Sequence, residues 1–445
     1  MPGKKSGRFV VRLRTRFAYL KWHVKDYVVF PLRSYLSSVL ALGSYLLKTV
    51  GVRDNGLVLL MKADRVGPSR LSRVLVRLWF EDLVEVSRRV VLKEANASPE
   101  WIEKRSIVLK DPVIDETGGV LEKGVYLIKF TTTFPDAFAR FNLERLLEYF
   151  HIVLEPSWAG YCLPEILSWS SLSAPIIVEA SECEDRSLLE SLDTNLVPVE
   201  FGSGDWVDPD VFRPIEAVEK EYDVIYVANF NSIKRQYVFL KALRDLDRQG
   251  VTLKAALVCG RWGECREEIL DLIRDFQLSD KITFYEGLSQ PELNVLLNKS
   301  KVNILLSLKE GSNRSLFEGF FAGTPGILLS NNIGVNKEYF NSQTGVTITE
   351  SDLPKTLIFF SQNWDSFSPR EWAIENISPV KTTEKLENVL KRFDPDYGRF
   401  TSQPEKLFIK VNSPEATLWS QGGKKPCWDV GKIHSMCGGD QKKGA

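Results

Sequence analysis

Glu310 and Glu318 stand eight positions apart around a small polar turn, in the stretch KEGSNRSLFEGFFAGTPGILLS from Lys309 to Ser330. One carboxylate precedes a helix and the other lies a turn or more further on. So spaced, they can accept hydrogen bonds from different parts of one elongated ligand, and vicinal sugar hydroxyls are suitable donors. Gly311 allows the backbone to turn tightly. Ser312 or Asn313 can cap the helix that follows. The unpaired N–H groups of its first turn make an anion site suited to phosphate. The same residues also fit a purely structural role, because glutamates at a helix start favour the macrodipole.

A turn of this kind serves a ligand when it lies at the C-terminal end of a parallel strand, where helix N-termini point. The surrounding sequence supplies that setting. EYDVIYVANF (Glu221 to Phe230) has the β-branched run of a buried strand. KRQYVFLKALRDLDRQG then shows helical spacing and stops at Gly250. VTLKAALVCG, KITFYEG, KVNILLSLKEG and TPGILLS continue as strands. CREEILDLIRDFQL, SQPELNVLLNKS and SLFEGFFAG fall between them as helices, Ser289 capping the second. Strands alternating with helices predict a parallel sheet covered on both faces. A Rossmann-like domain is therefore expected over 222–377.

The first half has the same rhythm. Strands are expected at Gly56 to Asp64, Gly124 to Thr132, His151 to Ser157, Ala174 to Ser181 and Asn195 to Gly202. They define a second α/β domain over 54–205, joined by a Gly-, Asp- and Pro-rich linker at 206–221. A helical segment at 378–415 follows the second domain, with a return to the first as one option. The Gly- and Lys-rich tail, 416–445, is expected to be poorly ordered.

A chain of 445 residues fits two large domains rather than one core. The net charge is zero, which removes any global field for nucleic acid. Six cysteines lie scattered without a compact disulfide pattern, as in a reducing cytosol. Charge is uneven, however. Lys4, Lys5, Arg8, Arg12, Arg14, Arg16, Lys21 and Lys25 precede the first acid, Asp26. The uncharged run SYLSSVLALGSYLL, Ser34 to Leu47, is shorter than the roughly 20 residues of a spanning helix. Residues 1–53 form either a basic amphipathic segment whose first 50 residues lie on an anionic membrane surface, or a basic tail before the first helix of a domain. The protein is accordingly expected in the cytoplasm, with a membrane-peripheral position as an option.

Several segments in register carry a family resemblance. Glu310 and Glu318 make an E-x7-E spacing followed by Ala-Gly-Thr-Pro; VANFNSIKRQ and FYEGLSQPELNVLLNKSKVNILLSLKEG lie upstream, and GDWVDPDVFRP precedes the domain. Over about residues 195 to 350 the chain resembles the family-4 retaining glycosyltransferases of the GT-B fold. The first half is similar only in its strand–helix rhythm. The resemblance implies two Rossmann-like domains with parallel sheets facing across a cleft, and transfer of a sugar, a hexose by analogy, from a nucleotide diphosphate sugar. It implies that Glu310 contacts the donor sugar and Glu318 the ribose. The backbone of Gly311, Ser312, Asn313, Arg314 and Ser315 would approach sugar and phosphates. Lys234 would bind the diphosphate. The family's usual arginine five positions earlier is Asn229 here, which leaves Arg235 or Arg314 to supply a second charge. Tyr285 and Gly287 would lie near the base. No metal and no cofactor beyond the donor is implied, and no Asp-x-Asp is found in the expected donor loops.

On the acceptor side, EPSWAGY offers Ser157, Trp158 and Gly160, and MKADRVGPSR offers Gly67 in the loop expected after the first strand. The acceptor is a sugar, glycan or lipid-linked molecule. His151 and His23 are not in convincing positions for a site. Gly260 and Gly263 in VCGRWGEC form a weak phosphate-loop pattern. Cys427, His434 and Cys437 lack a fourth ligand at zinc spacing. A second option is a degenerate relative that binds a nucleotide sugar, or a protein partner, without turnover.

Overall fold

The computed structural model describes residues 15–95, 99–399, 407–412 and 426–438. Contacts divide the chain into two compact units. The N-terminal unit holds Leu32–Trp206 and the described residues from Pro379 onward; the C-terminal unit holds Val207–Ser378 and the described residues up to Pro31. The segment 1–53 is thus split, and its first fourteen residues lie outside the described ones.

The N-terminal unit begins with four helices: α1 (Arg33–Thr49), α2 (Arg53–Val66), α3 (Arg70–Leu78) and α4 (Phe80–Glu94). The run Gly56–Asp64, expected as a strand, is inside α2. Its buried residues Leu57, Leu60, Met61 and Asp64 recur at three- and four-residue steps, the period of a helix. A short apolar run does not by itself separate strand from helix. Ser69 and Ser72 form a reciprocal cap that starts α3.

The sheet of this unit contains β1 (Ser106–Lys110), β4 (Gly124–Lys129), β5 (Phe150–Glu155), β6 (Ile176–Glu179) and β7 (Leu196–Val199), in the order β1-β4-β5-β6-β7. β1 runs antiparallel at the edge and the others are parallel. A separate ribbon pairs β2 (Val113–Ile114) with β3 (Val120–Glu122). β4 ends three residues before the expected Thr132, because Phe130 adopts φ 65° and turns the chain into a short 3-10 helix, Thr131–Thr133.

In the C-terminal unit six strands run parallel: β8 (Val224–Ala228), β9 (Ala255–Cys259), β10 (Ile282–Glu286), β11 (Asn303–Leu305), β12 (Gly326–Leu329) and β13 (Gly345–Ile348). Their order is β10-β9-β8-β11-β12-β13. Helices α5 (Gln236–Arg248), α6 (Arg266–Asp275), α7 (Gln290–Asn298) and α8 (Arg314–Phe321) make the crossovers. Numbered within the unit, this is the 3-2-1-4-5-6 order of a doubly wound sheet, which reverses between β8 and β11. The helical stretch before Pro31 packs on this unit, with Trp22 buried and stacked on Tyr237 at 5.8 Å.

From Pro379 the chain returns to the N-terminal unit. Helix α9 (Pro379–Phe393) buries Leu386 and Leu390 in one cluster with Val125, Leu127 and Val153 of that unit's sheet. The tail is not uniformly unstructured, as a Gly- and Lys-rich composition suggests. Within it, α10 (Val430–Cys437) places Val430, Ile433 and Cys437 on one apolar face against the N-terminal unit's core. Asp429 caps this helix by accepting from the Lys432 N–H at 2.8 Å.

Candidate functional site

In a doubly wound sheet, ligands collect beyond the carboxyl ends of the strands where the strand order reverses. The two loops at that point here follow β8 and β11. After β8, Asn231 accepts from the Ile233 N–H at 3.2 Å and shapes the turn Ser232–Lys234. The Tyr226 hydroxyl donates to the Lys234 carbonyl from within the sheet. After β11, the Glu310 N–H donates to the Ile333 carbonyl at 2.8 Å, and the Ile333 N–H donates to Leu308 at 2.9 Å. The loop is therefore pinned to the one beyond β12. Between the two pinned loops, Lys234 Nζ lies 2.5 Å from Glu310 Oε1, the side chains being 12% and 7% exposed.

Glu318 projects from the second turn of α8. Burial pushes its carboxyl up, and the Arg314 guanidinium one turn earlier opposes that shift. Asn313, rather than Ser312, caps α8: its Oδ1 accepts from the Leu316 N–H at 3.0 Å and from the Ser315 hydroxyl at 2.9 Å. Asn303 of β11 donates to the Ser315 carbonyl at 2.8 Å, fixing the helix start to the sheet. Gly311 stays outside the left-handed region, so the turn does not need a glycine for its φ. The aromatic run has a packing role, with Phe317, Phe320 and Phe321 in the core. Gly323, at φ 80°, ends the helix.

Arg235 is not available as the second phosphate-binding charge. Its guanidinium is 2% exposed and bonded to Asp26 at 2.7 Å, to Glu350 at 2.6 Å and to the Leu306 carbonyl at 3.1 Å. The residue itself sits at φ 56°, an uncommon region for a bulky side chain. It acts as a positioning residue, holding the backbone immediately after Lys234. Asn229 carries no charge and serves the loop: its Oδ1 accepts from the Asn231 N–H at 3.1 Å, and its carbonyl from Gln236 Nε2 at 2.5 Å. Arg314 is exposed at the start of α8.

Tyr285 is turned along the sheet rather than to the loops. Its hydroxyl meets that of Tyr222 at 2.7 Å, just before β8 and at the opposite end of that strand from Lys234. Burial pushes the Tyr285 phenol up to about 12. Gly287 does follow β10, at φ 69°, and a Cβ there would run into the Arg261 side chain. Gly263, at φ 128°, lets the loop after β9 rest on the Phe230 backbone. This brings Arg261 and Trp262, both exposed, to the same edge of the sheet. The sequence treats them only as part of a weak glycine pattern.

The acceptor-side residues lie in the N-terminal unit. The Ser157 N–H donates to Thr131 Oγ1 at 3.1 Å, and Trp158 is exposed beside it in the chain. Gly160 takes φ 96° and donates its N–H to Asp185 at 2.8 Å. Gly67 does not follow a strand; it ends α2 and packs under Arg33, where a Cβ would not fit. His151 has a structural setting, with Nε2 3.0 Å from Asp394 Oδ2, and burial pushes its imidazolium down. A buried charge cluster went unnoticed in the sequence. Lys129, Glu155 and Glu179 end β4, β5 and β6, and Lys410 bonds to Glu155. Burial pushes the Lys410 ammonium down to about 8. The signal was present: each of these apolar strands ends on a charge. Among the described residues, no group of three or more His, Cys, Asp or Glu side chains is placed to hold a metal ion.

Residues 208–365 match the family model of the glycosyl transferases group 1. A search of the curated proteins finds no match. Among solved structures, the chain is similar to a variant of S. aureus TarM in complex with fondaparinux, alpha-GlcNAc-glycerol and UDP. That match has 15% identity and a TM-score of 0.48, and covers 60% of this chain and 55% of that one. It thus spans little more than half of TarM. Sucrose-phosphate synthase from Thermosynechococcus elongatus matches at 13% identity and TM-score 0.49, over 60% of this chain and 72% of that one. Anabaena HepE in complex with UDP and glucose matches at 12% and 0.45, over 60% and 77%. The fold class is α/β, as expected, with two units each built on a largely parallel sheet, and the C-terminal unit is similar to a group 1 glycosyl transferase domain.

Proposed function

We propose that the chain is a retaining glycosyltransferase of the family-4 type, moving a hexosyl group from a nucleoside diphosphate sugar to a sugar, glycan or lipid-linked acceptor. One observation carries this: the Lys234–Glu310 pair stands where the strand order reverses, inside the segment similar to group 1 glycosyl transferases. Without donor, the ammonium and carboxylate neutralise each other. With donor, Lys234 turns to the diphosphate and Glu310 accepts from sugar hydroxyls. Glu318 accepts from the ribose.

The bond between the anomeric carbon and the diphosphate oxygen breaks, and that oxygen keeps the electron pair. The acceptor hydroxyl adds to the anomeric carbon from the same face, and its proton passes to the departing phosphate. Negative charge therefore grows on the diphosphate in the transition state. The N–H groups that open α8 are fixed by the fold and Lys234, once turned from Glu310, joins them against that charge, a form of electrostatic stabilisation. In this scheme they take the role of a metal. Arg314 supplies the second cation.

The test is release of nucleoside diphosphate from a panel of nucleotide sugars with varied acceptors. Turnover that depends on Lys234 supports the proposal. A second reading, binding without turnover, is favoured by the uncharged Asn229 and by the engagement of Arg235 elsewhere. It predicts a ligand-induced thermal shift with no product from any acceptor.

A further inference from the structure

We propose that the outer face of α1 and α3 in the N-terminal unit docks on an anionic phospholipid bilayer. The polarity of α1 is inverted. Its buried residues are Ser37, Ala41 and Ser44, which face the protein. Solvent instead meets Tyr35 (73% exposed), Val39 (66%), Leu42 and Leu46, followed by Val50 (72%). These recur at three- and four-residue steps and form one stripe along the helix. α3 is apolar on both sides: Leu75 and Val76 point inward with Ser72, while Leu71, Val74 and Leu78 (69%) point out. The two helices are neighbours, linked by the Ser37 and Ser69 hydroxyls at 3.3 Å. So large an apolar surface is uncommon on a protein that meets only water.

Charge selects the occupant. Neither α1 nor α3 contains an acid; they carry Arg33, Lys48, Arg70, Arg73 and Arg77. Arg73 and Lys48 are paired inward, with Asp64 at 2.9 Å and Asp82 at 2.6 Å. Arg70 and Arg77 are exposed beside the apolar stripe of α3. Tyr45 stacks on Trp79 at 6.0 Å at the far end of α1. Apolar side chains edged by arginine and by amphipathic aromatic rings match the boundary between anionic headgroups and acyl chains. Among the described residues no helix is long and apolar enough to cross a membrane, so the contact is with the surface. The inference does not depend on glycosyl transfer, because binding is read without a donor.

The test is co-sedimentation of the full chain with phosphatidylcholine vesicles, with and without phosphatidylglycerol. The wild type should pellet with the anionic vesicles and less with the neutral ones. The exposed-site variant Val39→Glu/Leu42→Glu/Val74→Glu should bind the anionic vesicles at least about tenfold more weakly, with an unchanged melting temperature. Arg70→Glu/Arg77→Glu should lose the preference for anionic lipid. The triple variant keeps the basic residues before Asp26, so undiminished binding by it would show that those residues hold the membrane and would overturn the proposal. Failure of the wild type to pellet would also overturn it. So would a wild-type dimer that the triple variant converts to monomer, since the face would then serve self-association.

Discussion

At the scale of single residues, Glu318 gives the sharpest expectation. Burial holds its carboxyl above the ordinary range, so the folded protein binds its proton more tightly than the unfolded chain does. Its contribution to stability therefore falls as pH rises from the ordinary carboxylate value through the raised one. Glu318→Gln should remove that slope and raise the melting temperature at neutral pH by a few degrees, while weakening nucleoside diphosphate binding. A calorimetric melt across pH, paired with a binding titration, checks both. Lys234→Ala should lower turnover by about 10²-fold or more, the scale for losing one group that stabilises transition-state charge. It also leaves Glu310 buried without its cation, so some loss of stability is expected. Glu310 and Glu318 stood out in the sequence because several segments in register flank them; the polar turn alone fits a structural role as well. The engagement of Arg235 was not, because Asp26 and Glu350, its partners, lie more than a hundred positions away in each direction.

At the scale of elements, the loop after β8 depends on Arg235. Removing the guanidinium strands two carboxylates, one of them buried, and such losses cost about 3–5 kcal/mol. Arg235→Ala should therefore destabilise the C-terminal unit and lower kcat through a displaced Lys234, without Arg235 touching the donor. Arg235→Lys should restore part of the stability, as read by denaturant melts. Gly345 offers a test of the strand register. It sits at φ 146° with its α-carbon against the Gly326 backbone, so Gly345→Ala should part β12 from β13 and lower the melting temperature sharply. The strands of the C-terminal unit were readable because apolar, β-branched runs alternate with amphipathic helices of ordinary length. In the N-terminal unit α2 was misread, since its apolar run is compatible with either period until its neighbours are known. β1, at the antiparallel edge, lies outside the βα rhythm on which the expectation rested.

At the scale of the whole molecule, the chain crosses between its units three times. It leaves the C-terminal unit after Pro31, re-enters it at Val207 and returns to the N-terminal unit at Pro379. Composition hides this, because the residues that dock α10 are few: Trp428, Val430, Ile433 and Cys437, in an otherwise Gly- and Lys-rich stretch. Ending the chain at residue 425 should lower the melting temperature of the N-terminal unit and leave nucleoside diphosphate binding by the C-terminal unit unchanged. The most direct measurement of the central claim is calorimetric titration of wild type, Lys234→Ala and Glu318→Ala with UDP, GDP and ADP. One of the three should bind the wild type, and each substitution should weaken it at least about tenfold. Contradiction would be the absence of binding to any of them, or equal affinity in all three proteins.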